Sequence, residues 1–358
     1  MAPRTAARLT TRKVLFVSIA GDLTIAAIKV GAAMLTGSSA MWSEAVHSLV
    51  DSSNSILLLY GVHRSKRTPD DSHPFGYGRE IYFWSFVVAV QVFALGAGVT
   101  FVNGVAHVLQ PTRIEFAHVN YIVLALSALL DGSTWLIALR GFKGRMRYAE
   151  IFQAIHDSKD PPSFMVVFED SAALIGLSIA FAGAFLSIQL DLPVLDGVAS
   201  ILISLVLAVT AAFLARETKG LLIGEPADPA IVMSLLRIAR EMEGVAHANG
   251  ILTVHLAPRQ IAVALSLEFA DELTTPAIEL KVSELEKRLR DLHPEVIAVF
   301  VKPQSALGYA EMVERRRGKT RQIVFHAPET SKKPSPGRAP SWTSSIVCTN
   351  CKAPTKRG

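Results

Sequence analysis

The chain has 358 residues, half of them apolar, with 19% charged and a mean hydropathy of +0.36. An average soluble domain is about one-quarter charged, so this composition argues against a wholly soluble enzyme. Two cysteines, both near the end of the chain, exclude a secreted disulfide scaffold.

Crossing a hydrocarbon layer of about 30 Å takes roughly 20 apolar residues in a helix. Six runs meet that requirement: 14–36, 40–61, 81–108, 119–139, 164–188 and 193–215. Basic residues alternate between the connecting segments. Residues 1–13, 62–80 and 140–160 hold thirteen Lys and Arg, whereas 37–39, 109–118 and 189–192 hold only Arg113. This bias predicts an even number of spans with both termini cytosolic; the cell (inner) membrane is the expected location. The net charge of +5 is therefore read as membrane topology, with no nucleic-acid partner. The Arg-rich start resembles a signal or transit segment, but the apolar run behind it exceeds an h-region and carries Asp22 and Lys29. A cytoplasmic anchor flank is the expectation.

Past the last run the period changes. Residues 228–243 and 276–292 are predicted amphipathic helices, and 251–256, 260–269 and 296–302 are predicted strands. The order αββαβ predicts a small two-layer α+β domain. The organisation expected is a basic N-terminus (1–13), a six-helix transmembrane domain (14–216), a cytosolic domain (217–305) and a disordered basic tail (306–358).

The apolar runs carry groups that a plain anchor would not tolerate: Asp22, Lys29, Glu44, His47, Asp51, Asn54, Asp131, Glu169 and Asp170. A charge at the bilayer centre costs about 2.5–3.5 kcal/mol even on a lenient insertion scale. Glu44, His47, Asp51 and Asn54 follow one another at spacings that place them on one helix face. An imidazole and a carboxylate one turn apart form a two-ligand edge for a cation such as zinc. A hydrogen-bonded stripe gluing helices together is the plainer alternative. Glu169 and Asp170 point about 100° apart on an undistorted helix. One of them is then a ligand, and the other a proton carrier or a partner for Lys29; a helix interface is the alternative.

The stretch ExxHSxxDxxN at 44–54, the segment TPDDSHPFGYGR at 68–79 and FEDSAALIG at 168–176 together resemble the cation diffusion facilitator family of divalent-metal/proton antiporters. The likeness extends over about residues 10–305, and the Glu-Asp pair looks most like the branch that includes the mitochondrial zinc transporters of animals. It implies a homodimer with a ferredoxin-like cytosolic module that moves Zn2+ out of the cytosol in exchange for H+. Mn2+ or Fe2+ transport by the same architecture, or a non-transporting membrane scaffold, remain as alternatives. No HExxH motif or nucleophile supports an enzyme.

By the same resemblance, His47, Asp51 and Asp170 match the family's transport ligands, and Glu169 is a candidate fourth. Glu44 and Asn54 are expected to support the site or carry protons. The remaining family ligand of span five falls on Val166. In the loop before span three, Asp70 and His73 match a second metal site, but its third position is Tyr77. Positions that bind metal in the family's cytosolic module fall on residues such as Leu265 and Lys302, and His255 reads as an ordinary strand residue. Cys348 and Cys351 form a lone CxxC, short of the four ligands of a structural zinc site.

Overall fold

The computed structural model describes residues 22–142 and 159–317. The N-terminal flank, residues 14–21 of the first expected span, loop residues 143–158 and the tail with Cys348 and Cys351 lie outside the described residues.

Six helices occupy the first two-thirds of the described residues: α1 (22–36), α2 (Ser39–Ser65), α3 (Glu80–Leu109), α4 (Ala117–Phe142), α5 (Pro161–Gln189) and α6 (Val194–Ile223). Their ends follow local chemistry. The Ser38 hydroxyl accepts from the Met41 N–H at 3.2 Å and starts α2. Two prolines open α5, where no intrahelical donor is lost. Gly224, at φ 119°, ends α6.

Among the described residues, four helices are long and apolar enough to cross a bilayer: α3, the Ala117–Ile137 part of α4, α5 and α6. α2 has the length, at 27 residues, but Glu44, His47, Asp51 and its serines lower its hydropathy. Inside α3, Val92–Val99 winds as a π-helix containing Gly96 and Gly98, a widening of the kind that gathers near functional sites.

With lipid tails as apolar as leucine, such helices associate through close packing. α3 and α6 meet backbone to backbone: a Cβ on Gly197 would lie 2.9 Å from the Val108 nitrogen. One apolar core joins Tyr82, Val88 and Ala89 of α3 to Met165 and Val167 of α5 and Leu214 of α6. Another joins Met41 of α2, Leu124 of α4, Leu177 of α5 and Leu207 of α6.

The remaining elements are α7 (Pro229–Arg240), β1 (Val245–Ala257), β2 (Gln260–Phe269), α8 (Thr275–Leu292), β3 (Val296–Pro303) and α9 (Ala306–Arg317). Their three-stranded sheet has the order β1-β2-β3, antiparallel between the first pair and parallel between the second. Alternate residues Ile261, Val263, Leu265 and Leu267 of β2 pack with Leu235 and Ile238 of α7 and Leu285 and Leu289 of α8. β1 starts at Val245, well before the alternation at 251 announces it. The early part lacks period 2 because register shifts interrupt its pairing with β2, and the Asn249 amide ties it to the Gln304 carbonyl at 2.7 Å.

The expected disordered tail needs one correction. Residues Ala306–Arg317 are helical. This helix begins where the Glu268 carboxylate accepts from the Ala306 N–H at 3.1 Å and the Ser305 hydroxyl accepts from Gly308. Its charged surface hides it from an apolar-period reading.

The sheet is fastened to the helices. Lys159, just before α5, pairs with Glu225, just after α6. The Glu225 carbonyl accepts from the His255 N–H of β1 at 3.0 Å. Phe75, in the loop before α3, meets Phe300 of β3 edge-on with ring centres 6.2 Å apart.

Candidate functional site

α2 carries the first half of the site. His47 is buried, and its Nε2 lies 3.3 Å from Asp51 Oδ2, one helical turn on. Neither ring nitrogen makes a hydrogen bond, and Asp51 Oδ1 is also unpartnered. Asp51 nevertheless keeps 33% of its side chain open.

α5 supplies the facing half. The Asn54 amide of α2 donates to Glu169 Oε1 at 3.2 Å. Asp170, next in sequence, leaves Oδ2 without a partner and lies within electrostatic reach of Asp51. Both acids lie within electrostatic reach of Asp51; Glu169 accepts from Asn54, and Asp170 is hydrogen-bonded to Thr134. Val166, one turn before Asp170, is 40% exposed on the same open stripe. Among the described residues, no three His, Cys, Asp or Glu side chains converge into a ready-made metal cage.

The expectation that Lys29 answers an acid of span five is corrected. The Lys29 ammonium donates to Ser48 Oγ at 2.8 Å and to Glu44 Oε2 at 3.3 Å, and lies 3.8 Å from Asp131 Oδ2. These partners lie on α2 and α4. Glu44 packs beside Gly176 of α5, where a Cβ would come within 2.8 Å of its Oε1.

The loop before α3 is closed by its own hydrogen bonds. Asp70 accepts from the Tyr77 hydroxyl at 2.6 Å and from the backbone N–H groups of His73 and Ser72 at 2.8 and 3.0 Å. The Tyr77 hydroxyl, and then the His73 N–H, hold the Asp70 carboxyl below the usual range, and the same bond raises Tyr77. The His73 ring lies 4.2 Å from that of Tyr77, with its Nδ1 3.6 Å from Asp70. In the sheet, Leu265 is core, and burial pushes the His255 imidazole down. A cavity of about 870 Å3 lies between this loop and the sheet; its lining includes Phe75, Phe83, Leu252 and Phe300. It is mostly apolar and distant in chemistry from the acidic helix site.

One buried acid escaped the sequence reading. Asp196, in the first turn of α6, accepts from the Ser39 and Ala40 N–H groups and from the Ser38 hydroxyl at 2.8 Å. His107 Nε2 lies 3.8 Å away. The Ser39, Ser43 and Ser200 hydroxyls continue this cluster at 2.8 and 2.9 Å, and Asn103 joins it at 2.8 Å. An acid at the edge of an apolar run reads as a flank. The clue was the Ser38-Ser39 pair opening α2, whose orphan N–H groups attract an acceptor.

Apolar helices that bury acids and an imidazole, followed by a small mixed sheet, define a multi-pass membrane protein with a charged interior. Residues 15–223 match the cation efflux transmembrane domain, more than half of the 358 residues. The chain belongs to this family, the cation diffusion facilitators, which are transporters and not enzymes. It is 30% identical to the mitochondrial proton-coupled zinc antiporter of Xenopus laevis, over 67% of this chain and 43% of that protein. It is 28% identical to the human protein of the same name, over 74% and 48% respectively. To metal tolerance protein C4 of Arabidopsis thaliana it is 34% identical, over 60% and 47%. The chain thus spans less than half the length of each of these relatives.

Proposed function

We propose that this chain exports a divalent cation, Zn2+ foremost, from the cytosol in exchange for protons. The observation that carries this reading is a group of buried polar atoms without a hydrogen-bond partner: both nitrogens of His47, Asp51 Oδ1 and Asp170 Oδ2, with Glu44 Oε1 and Asn54 Oδ1 on the same α2 face. Each buried polar atom left unmade costs about 1–3 kcal/mol, a cost that an arriving cation removes. His47, Asp51 and Asp170 are the ligands, drawn together from α2 and α5 by the ion, with Glu169 as the fourth. The names of the zinc antiporters among the relatives support both the cargo and the counter-ion.

Coupling follows from competition. A metal ion binds only the deprotonated forms of imidazole and carboxylate. A site that opens alternately to each side therefore exchanges metal for protons. His47 is the imidazole of the set, a group that can hold either a proton or a metal ion. Asn54 holds Glu169 in place, and the Asp70/His73 loop is a structural turn.

The architecture that goes with this reading has six spans, both ends cytosolic in the cell (inner) membrane, and a ferredoxin-like module that pairs two copies. The thirteen-to-one split of basic residues and the six helices among the described residues support it. A second reading, Mn2+ or Fe2+ as cargo, is favoured by Val166, which leaves carboxylates outnumbering the single imidazole.

The test is flux into liposomes containing the purified protein and a metal-sensitive dye. Zinc uptake that collapses an imposed proton gradient is expected. Absence of any divalent flux would leave a scaffold, and faster Mn2+ or Fe2+ uptake in competition would change the cargo.

A further inference from the structure

Lys29 is 1% exposed and stands where α1, α2 and α4 meet. An ammonium has three N–H donors, and three acceptors surround this one: Ser48 at 2.8 Å, Glu44 at 3.3 Å and Asp131 at 3.8 Å. Both carboxylates belong to the surroundings of the proposed site. Glu44 lies one turn before His47, and Ser48 directly follows it. Asp131 acts electrostatically on His47, Asp51 and Asp170, and Lys29 acts on His47 and Asp51. Asp131 is 25% exposed, so it has room to turn.

We propose that Lys29 is a specificity-determining residue, whose ammonium holds Glu44 and Asp131 away from the transported ion. This rests on the transport reading above. Without Lys29, the ion would meet one imidazole amid as many as five carboxylates. Such an oxygen-rich set suits Mn2+, Mg2+ or Ca2+. With Glu44 drawn to the ammonium through Oε2, its Oε1 left bare beside Gly176, and Asp131 paired as well, the ion meets His47, Asp51 and Asp170 with Glu169 nearby, a smaller and softer set that suits zinc. The ammonium also cannot leave, because it is tethered to α1. It therefore serves as a fixed internal cation, which a soluble counter-ion could not do against a rising metal concentration.

A plain structural role, tying three helices together, predicts something different, and selectivity separates the two. Removing Lys29 alone would strand Glu44 unpaired in the interior, which is strongly destabilising. The informative variant is Lys29→Met/Glu44→Gln, which removes the buried pair as a unit and releases Asp131. Its comparison is Lys29→Met/Glu44→Gln/Asp131→Asn, which differs by one oxygen-for-nitrogen exchange. Initial rates for Zn2+ and Mn2+ are measured separately in liposomes holding equal amounts of inserted full-length protein.

The double variant is expected to shift the Mn2+/Zn2+ ratio of kcat/KM toward manganese by about tenfold or more, the scale on which outer groups tune metal sites. The triple variant is expected to return the ratio to near the wild-type value. An unchanged ratio in the double variant, whatever its overall rate, overturns the proposal, because a structural tie moves both metals together. A shifted ratio that the Asp131→Asn change fails to reverse also overturns it. Wild-type protein that moves neither metal would instead overturn the transport reading, and that outcome is visible before any variant is made.

Discussion

The Asn54 amide and the Glu169 carboxylate meet at 3.2 Å across 115 positions of sequence, and this bond sorts two adjacent acids. Glu169 is engaged by Asn54, whereas Asp170, bonded to Thr134, keeps its Oδ2 bare. The two should therefore respond differently to loss of charge. Glu169→Gln retains an oxygen that accepts from Asn54 and is expected to keep a measurable part of zinc flux. Asp170→Asn is expected to abolish it. Equal loss in both, measured in correctly inserted protein, would mean that the Glu169 charge is as indispensable to the site as that of Asp170.

On α2 the expectation is sharper. His47→Ala and Asp51→Ala should each remove zinc-dependent flux while leaving secondary structure and oligomeric state unchanged. Losing one protein ligand from a small set costs several kcal/mol of metal binding, and each 1.4 kcal/mol is about tenfold in affinity. Wild-type flux in either variant would remove the central assignment.

Val166 shares the open side of α5 with Asp170. An imidazole introduced there adds a ligand one turn from Asp170. Val166→His is expected to tighten zinc binding, to raise zinc preference over manganese and to make Glu169→Gln better tolerated. Isothermal titration of wild type, both single variants and the double variant reads all three effects. Unchanged affinity and selectivity would place residue 166 away from the ion.

How far did the sequence carry this reading? The α2 stripe was legible because helix periodicity alone places residues 44, 47, 51 and 54 on one face, whatever packs against them. The sheet core was legible because β2 alternates strictly from Ile261 to Leu267. Long-range pairing was not. Lys29 finds Asp131, and Asp196 finds the start of α2, only through the bundle, and no spacing rule connects such distant positions. β1 hid its first half because bulges break the alternation, and α9 hid because it buries little.

Two groups outside the membrane give pH signatures of opposite origin. Asp70 has a depressed carboxyl, so loop order is full above the ordinary value of about 3.9 and is lost as pH falls through the lower folded value. Tyr77→Phe removes the first cause and should move the Asp70 titration upward in a carboxyl-carbon NMR experiment. An unmoved curve would assign the depression to the backbone N–H groups alone.

His255 is lowered by burial, so the folded protein resists its protonation. Stability is therefore full above the unfolded value of about 6.5 and declines as pH falls from there toward the folded value. His255→Gln should flatten that part of the profile. The melting temperature of detergent-solubilised protein across this window provides the check, and an equally steep decline in the variant would implicate another group.

The polarity of α2 also bears on how the polypeptide is made. Each charged residue near a helix centre adds about 2.5–3.5 kcal/mol to the cost of handing a segment from translocon to lipid, and α2 has several. Only residues 37 and 38 separate it from α1, with Gly37 in the left-handed region at φ 67°. The Lys29–Glu44 pair spans this short connection, 15 residues apart, and forms as soon as the two helices lie side by side. In the proposed six-span arrangement, α1 and α2 would enter the bilayer as one hairpin with one pair of charges already neutralised. The rest of α2, with His47 and Asp51, would meet its α5 partners only more than a hundred residues later in synthesis. During that interval the nascent chain is the form most exposed to membrane quality control, so substitutions at Lys29 should lower the yield of inserted protein before they alter any transport rate.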